Sequence, residues 1–204
     1  VPGIRLYQAT DVTALWHRTG EVLGTDDPPL PYWAFAWSGG LAVVQYLLER
    51  HEVVESRSVL DLGTGSGLCG IVAARLGAVS VRAVDVDPLA AAAAELNARA
   101  NDITVDVELR DVLDDDPPAV DVVLAGDVSY EERMAVRMLD WLEAAASRGS
   151  FVLLGDPGRR WFNGGEGRRL RWLAEYTVQV SREIEEAERK RSAVYQVMPG
   201  AATC

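Results

Sequence analysis

The apolar run Ser58–Gly63 (SVLDLG) passes directly into the glycine loop Asp61-Leu62-Gly63-Thr64-Gly65-Ser66-Gly67, and Leu68–Leu76 follows as a helix closed near Gly77. A short buried strand, a glycine loop and a helix in immediate succession admit few folds. The glycines let backbone approach a ligand closely, and the helix start behind them presents unpaired N–H groups. Downstream the alternation continues: strand Val79–Val86, helix Leu89–Ala100, strand Val105–Arg110, strand Val120–Ala125, a helix from about Glu131 to Ala146, and strand Phe151–Gly155. That pattern predicts βαβ units and an α/β domain with a doubly wound, mostly parallel sheet.

After residue 155 the pattern changes. A Gly/Arg-rich loop, Trp161–Arg169, and a short helix lead to two strands, Thr177–Arg182 and Ser192–Met198. The charged stretch Glu183–Arg191 between them makes a hairpin, so the sheet is expected to end antiparallel. Upstream, residues 1–37 read as an irregular N-terminal extension containing the breaker Asp26-Asp27-Pro28-Pro29-Leu30-Pro31, and Gly39–Arg50 as an amphipathic helix. Residues 38–204 are then a single domain, with no internal repeat or linker.

Composition narrows the classes of function. A chain of 204 residues suits one domain, and 49% hydrophobic with 25% charged residues is ordinary for a soluble globular protein. No run approaches the roughly 18–20 apolar residues of a membrane span, so no membrane partner is expected. No signal-peptide pattern is present, although the sequence starts at Val1 rather than Met. The two cysteines, Cys69 and Cys204, lack metal-type spacing, which fits a reduced, cytoplasmic setting. A net charge of −11 argues against nucleic acid as the main partner. It permits a basic or lysine-presenting partner, or simply keeps the protein in solution.

The loop itself discriminates between cofactors. Its spacing, Gly63-x-Gly65-x-Gly67, departs from the G-x-G-x-x-G of dinucleotide sites. Asp61, read as lying at the mouth of the site, would repel a pyrophosphate. It suits a cofactor whose near end carries amino and sulfonium cations, which is S-adenosylmethionine. Asp85 ends the second strand about 20 residues on, where a carboxylate accepts hydrogen bonds from ribose hydroxyls. Asp87 is its rival, but a place directly before Pro88 suits a helix N-cap. Asp111, closing the third strand, is either within reach of the adenine amino group or an ordinary surface residue.

With the glycine loop, Asp85 and Asp127-Val128-Ser129-Tyr130 after the fourth strand, the chain resembles the class I, seven-β-strand protein methyltransferases, which carry an Asp-x-x-Phe/Tyr motif there. More closely it resembles the electron transfer flavoprotein β-subunit lysine methyltransferases. The matches are Pro31-Tyr32-Trp33-Ala34-Phe35-Ala36-Trp37 before Gly39-Gly40, Gly126-Asp127 through Tyr130, and Gly155-Asp156-Pro157-Gly158-Arg159. Ser38 departs from that pattern, where proline is expected. The resemblance implies a sheet ordered 3-2-1-4-5-7-6 with strand seven antiparallel, in a Rossmann-like methyltransferase domain over 38–204, with residues 1–37 contributing to the site. It implies S-adenosylmethionine as cofactor, S-adenosylhomocysteine as product, no metal, and a protein substrate presenting lysine. Trp37 and Gly126 would contact the cofactor, and Asp127 and Tyr130 would face the lysine. Asp156 and Arg159 would stand at the substrate end or form only a tight turn.

Lysine methylation requires a neutral amine. With a free pKa of ~10.4, deprotonation at pH 7 costs about 4.6 kcal/mol, and burial beside a sulfonium lowers that cost. A carboxylate at Asp127 favours the ammonium instead, so it is assigned to capture and orientation, with a share in proton removal left open. Tyr130, Trp33 and Trp37 offer aromatic walls for an ammonium, although Trp33 suits a core position equally well. His17 and His51 are isolated, and no metal or nucleophile-elbow arrangement is present. Other acceptors remain open, a ribosomal stalk subunit or a small amine. A nicotinamide-dependent oxidoreductase is opposed by the glycine spacing and Asp61, and a non-catalytic cofactor-binding protein by the intact Asp127-x-x-Tyr130.

Overall fold

The computed structural model describes residues 3–162, 167–185 and 187–200, without the side chain of Glu183. Residues 163–166 of the Gly/Arg-rich loop and Cys204 lie outside that range. In chain order the elements are α1 (Val12–Leu23), α2 (Ser38–Glu49), β1 (Ser58–Leu62), α3 (Leu68–Arg75), β2 (Ser80–Asp85), α4 (Pro88–Ala100), β3 (Asp106–Leu109), β4 (Val122–Gly126), α5 (Glu132–Ser147), β5 (Phe151–Asp156), β6 (Leu170–Gln179), α6 (Arg182–Glu185) and β7 (Arg189–Val197). One seven-stranded sheet runs β3-β2-β1-β4-β5-β7-β6. Neighbours from β3 to β5 pair in parallel, and β7 is antiparallel to both β5 and β6. The order implied by the family resemblance is the order found.

Apart from Ser58, Asp61 and Asp156, the central strands are apolar because both faces are covered. Val59, Val122, Leu124 and Leu153 pack with α2 and α3 on one face. Leu60, Leu62, Val123, Ala125, Val152 and Leu154 pack with α5 on the other. The period of two places Asp61 on the α3 side, which decides its role below.

Three expectations are corrected. The extension is not irregular throughout, since it contains α1. Asp11 caps that helix by accepting from Ala14 N at 2.9 Å, and Gly24 closes it at φ +68°. Val12, Leu15 and Trp16 share its inner face with Thr19 and Gly20, and those last two break the apolar stripe that would have betrayed it. Second, among the described residues the segment read as a short helix before Thr177 is strand. Strand β6 begins at Leu170, and β7 offers it a ladder along its whole length, with a bulge between Trp172 and Ala174. Third, the helical turn in this region is α6, inside the hairpin connection.

Three glycines bring α2 onto the end of the sheet. A Cβ on Gly155 would lie 2.1 Å from the Gly39 carbonyl oxygen, and one on Gly126 would lie 2.6 Å from Gly40 Cα. Backbone therefore packs directly on backbone where β4 and β5 end, and the start of α2 is delivered to the ligand-binding edge.

Candidate active site

A cavity of about 890 Å³ opens at the carboxyl ends of the parallel strands, beside the β1/β4 switch point where open α/β sheets bind ligands. Gly63 and Gly65, Asp85, Asp111, Gly126, Asp127, Tyr130, Arg159, Trp33 and Trp37 all line it. These are the residues singled out from the sequence, apart from three.

Asp61 does not reach the mouth. It is 2% exposed, and its Oδ2 accepts from Thr64 Oγ1 at 2.6 Å and Gly70 N at 2.8 Å. It braces the glycine loop against α3. Burial pushes its carboxyl from 3.8 up to about 6, helped by the Asp85 charge and opposed by the Thr64 and Gly70 hydrogen bonds. Gly67 also lies behind the cavity wall. Its φ is +81°, and a Cβ there would meet Ala94 Cα at 3.0 Å, so it seats the loop on α4. Asp156 is the third residue off the wall.

Asp85 is on the wall, where ribose hydroxyls are expected. Its Oδ2 accepts from Gly65 N at 2.9 Å and its Oδ1 from Asp87 N at 3.0 Å. A carboxylate has about four acceptor sites, so capacity remains for a ligand. Burial raises its pKa. Asp87 caps α4 by accepting from Leu89 N at 2.8 Å, as its place before Pro88 predicts. Asp111 accepts from Leu113 N at 3.0 Å and pairs with Arg137 at 3.2 Å, and the Leu113 hydrogen bond holds it below the usual carboxylate range. A glycine-backed loop, an acidic strand end and apolar walls fit a nucleoside cofactor.

Another part of the cavity wall is built on Asp127, a non-glycine residue at φ +59° and only 7% exposed. Its Oδ2 accepts from Gly39 N at the start of α2. Its Oδ1 accepts from Arg159 Nε at 2.7 Å. Burial pushes Asp127 up to about 6, against the pull of Arg159 and Gly39. The Gly155–Arg159 stretch is a tight turn that places Arg159 beside Asp127. Asp156 Oδ1 accepts from Gly158 N at 2.6 Å and Arg159 N at 2.8 Å, and this Asx-type turn aims Arg159 at Asp127.

Glu185 was missed by sequence reasoning, because it sits in a stretch that reads as a solvated connection. It is 7% exposed and accepts from Arg159 Nη2 at 3.0 Å and Ser38 Oγ at 2.8 Å. It also pairs with Lys190. Burial pushes Glu185 up, but Lys190, Ser38 and Arg159 outweigh it and hold it below its ordinary value. Ser38, the departure from the family pattern, thus supplies a hydroxyl and an N–H, and proline would offer neither. Tyr32 was also missed as a wall. Its ring lies 5.6 Å from that of Trp37 and 4.9 Å from that of Tyr130, and its carbonyl accepts from Trp37 Nε1 at 2.7 Å.

A sheet of this order, with a glycine loop, an acidic second-strand end and a cavity at the switch point, defines a class I methyltransferase. A family model described as ribosomal protein L11 methyltransferase (PrmA) matches residues 42–129. The fold is also that of the ribosomal protein L11 methylase from Lactobacillus delbrueckii subsp. bulgaricus, with a TM-score of 0.53 at 23% identity, over 76% of this chain and 77% of that one. Within the class, this chain belongs to the electron transfer flavoprotein β-subunit lysine methyltransferase family. The rat member is 35% identical over 97% of this chain and 78% of its own length. The human member is 33% identical over 97% of this chain and 76% of its own length.

Proposed function

We propose that the protein transfers methyl groups from S-adenosylmethionine to lysine side chains of electron transfer flavoprotein β-subunit. One observation carries this reading. The near full-length identity to that family coincides with a single cavity lined by the glycine loop, Asp85, Asp127, Tyr130 and Trp37. Gly63, Gly65, Asp85 and Asp111 would hold the cofactor, with Gly126 and Trp37 at its methyl-donating end. Bound there, the cofactor supplies an electrophilic methyl group on a sulfonium. The chain's own contribution is positioning and exclusion of water. Tyr32, Tyr130 and Trp37 form aromatic faces that attract an ammonium and its methylated forms. Asp127 and Arg159 close the far end, where the lysine nitrogen is oriented.

A second reading, a ribosomal protein as acceptor, is favoured by the L11 methyltransferase model over residues 42–129. Both are tested by incubating the purified protein with labelled S-adenosylmethionine and, separately, human electron transfer flavoprotein β-subunit, ribosomal protein L11 and a methyltransferase-deficient lysate. Mass spectrometry should place the label on lysines of the flavoprotein subunit. Label on L11 alone would transfer the assignment to the second reading. Thermal stabilisation by NAD and none by S-adenosylmethionine would remove both. Lys190 is the only lysine in the chain, so side-chain self-labelling maps to one position.

A further inference from the structure

At the substrate end of the cavity four charged side chains form one chain of contacts. Asp127 holds Arg159, Arg159 holds Glu185, and Glu185 holds Lys190. They come from the loop after β4, the turn after β5, α6 and β7, and they sum to zero. Asp156 is the other carboxylate near Arg159, and it is directed at the N–H groups of Gly158 and Arg159. Ser38 donates to Glu185 and Gly39 to Asp127. Cys69 on α3 also senses the Asp127 charge, with its thiol pushed up by burial. Arg159 lines the cavity with its guanidinium carbon 5.4 Å from the Trp37 ring centroid. It therefore occupies the place opposite Asp127 and over an aromatic face that a substrate ammonium would otherwise take.

A lysine ammonium entering this end would add an unmatched charge to a buried, balanced cluster. A neutral amine would not. Resting on the lysine reading above, we propose that Arg159 is the counter-charge of the active site. Glu131, Asp85, Asp87 and Asp111 also line the cavity, but none of them pairs with Arg159. By neutralising Asp127, Arg159 denies an ammonium beside it that carboxylate, so a lysine bound there loses its proton to water and is held as the nucleophile. The nitrogen lone pair then forms the bond to the methyl carbon. The carbon–sulfur bond breaks, its electron pair stays on sulfur, and the products are a methylammonium and S-adenosylhomocysteine. Glu185, accepting from Nη2 of the same guanidinium, fixes Arg159 in place.

The test is the pH dependence of kcat, which reports groups in the substrate complex. In Arg159→Gln the acid limb should move up by about one to two pH units, because a cation beside the amine is gone. Activity at pH 7 then falls about 10- to 100-fold and largely returns at pH 9, while calorimetric affinity for S-adenosylhomocysteine stays within about threefold. Arg159→Lys, which keeps the charge, should retain the wild-type limb. A second measurement needs no variant. Wild-type protein loaded with S-adenosylhomocysteine should release close to one proton per flavoprotein β-subunit bound at pH 7.5, read from buffers of different ionisation enthalpy. Profiles of wild type and Arg159→Gln that are parallel, or binding without proton release, overturn the counter-charge role while leaving the function intact. Absence of transfer by wild type at every pH overturns the functional reading itself.

Discussion

Replacing Asp61 by asparagine removes one negative charge from beneath the glycine loop while keeping an acceptor for Thr64 Oγ1 and Gly70 N. The wild-type carboxyl is pushed from 3.8 to about 6 by burial. At about 1.4 kcal/mol per pH unit, ionising it inside the folded protein costs about 3 kcal/mol. The folded state binds this proton more tightly than the unfolded chain does. Its stabilising effect is therefore complete below pH 3.8 and is lost as pH rises through about 6. About half of the loss, ~1.5 kcal/mol, falls between pH 5 and pH 7.5. Asparagine has no such dependence, though its amide group needs an acceptor of its own, an unmet demand worth ~1–3 kcal/mol at any pH. Urea unfolding of both proteins at several pH values separates the two effects. The stability difference should move by ~1.5 kcal/mol in favour of Asp61→Asn between pH 5 and 7.5, whatever its absolute value. A difference that stays constant with pH would refute the account of Asp61 as a buried, charged brace. It would return the residue to the cavity mouth, where solvent keeps carboxylates near their ordinary value.

Gly155→Ala should cost more than about 3 kcal/mol or yield insoluble protein, since its Cβ would meet a backbone oxygen at 2.1 Å. Gly40→Ala, whose Cβ would meet only Cys69 Sγ at 3.7 Å, should keep or raise the melting temperature. Asp127→Ala should abolish transfer and lower stability by ~1–3 kcal/mol, because the buried Gly39 N–H loses its acceptor and the half-buried Arg159 keeps only Glu185. Asp127→Asn should fold and lose at least about 100-fold in kcat, with S-adenosylhomocysteine affinity within about threefold by calorimetry. Tyr130→Phe should retain activity within about threefold and Tyr130→Ala lose about tenfold, if the ring rather than the hydroxyl serves the substrate. Burial raises that hydroxyl to about 12, so it is protonated at neutral pH. Asn97, fully buried, donates to Ser66 O at 2.8 Å and accepts from Tyr7 N at 2.7 Å. Asn97→Ala should therefore weaken S-adenosylhomocysteine binding, lower stability by ~1–3 kcal/mol and expose residues 3–9 to proteolysis.

Much of this protein is written in short-range patterns. Strand β1, the glycine loop and α3 follow from apolar run, glycines and helix formers in sequence, and Asp87 caps α4 because Pro88 follows it. Asp85 follows from its strand end, and Trp37, Asp127 and Tyr130 from the family resemblance; Trp33 suits a core position equally well, and the structure places all five on the wall of one cavity. Tertiary structure decided what depends on which faces meet. Asp61 looks like a ligand contact in a one-dimensional motif, but strand alternation turns it toward Gly70 on α3. Glu185 reads as one charge among many in a solvated connection, yet it hydrogen-bonds Ser38 across 147 residues of sequence. Gly39 reads as a helix start, Gly126 as a cofactor contact and Gly155 as a strand end, and each is small because backbone from a distant segment lies against it. Local sequence determines the elements and their caps, since those energies act within a few residues. The direction of a buried charge and the closeness of two backbones are fixed only when the sheet closes, because their partners are not neighbours in the chain.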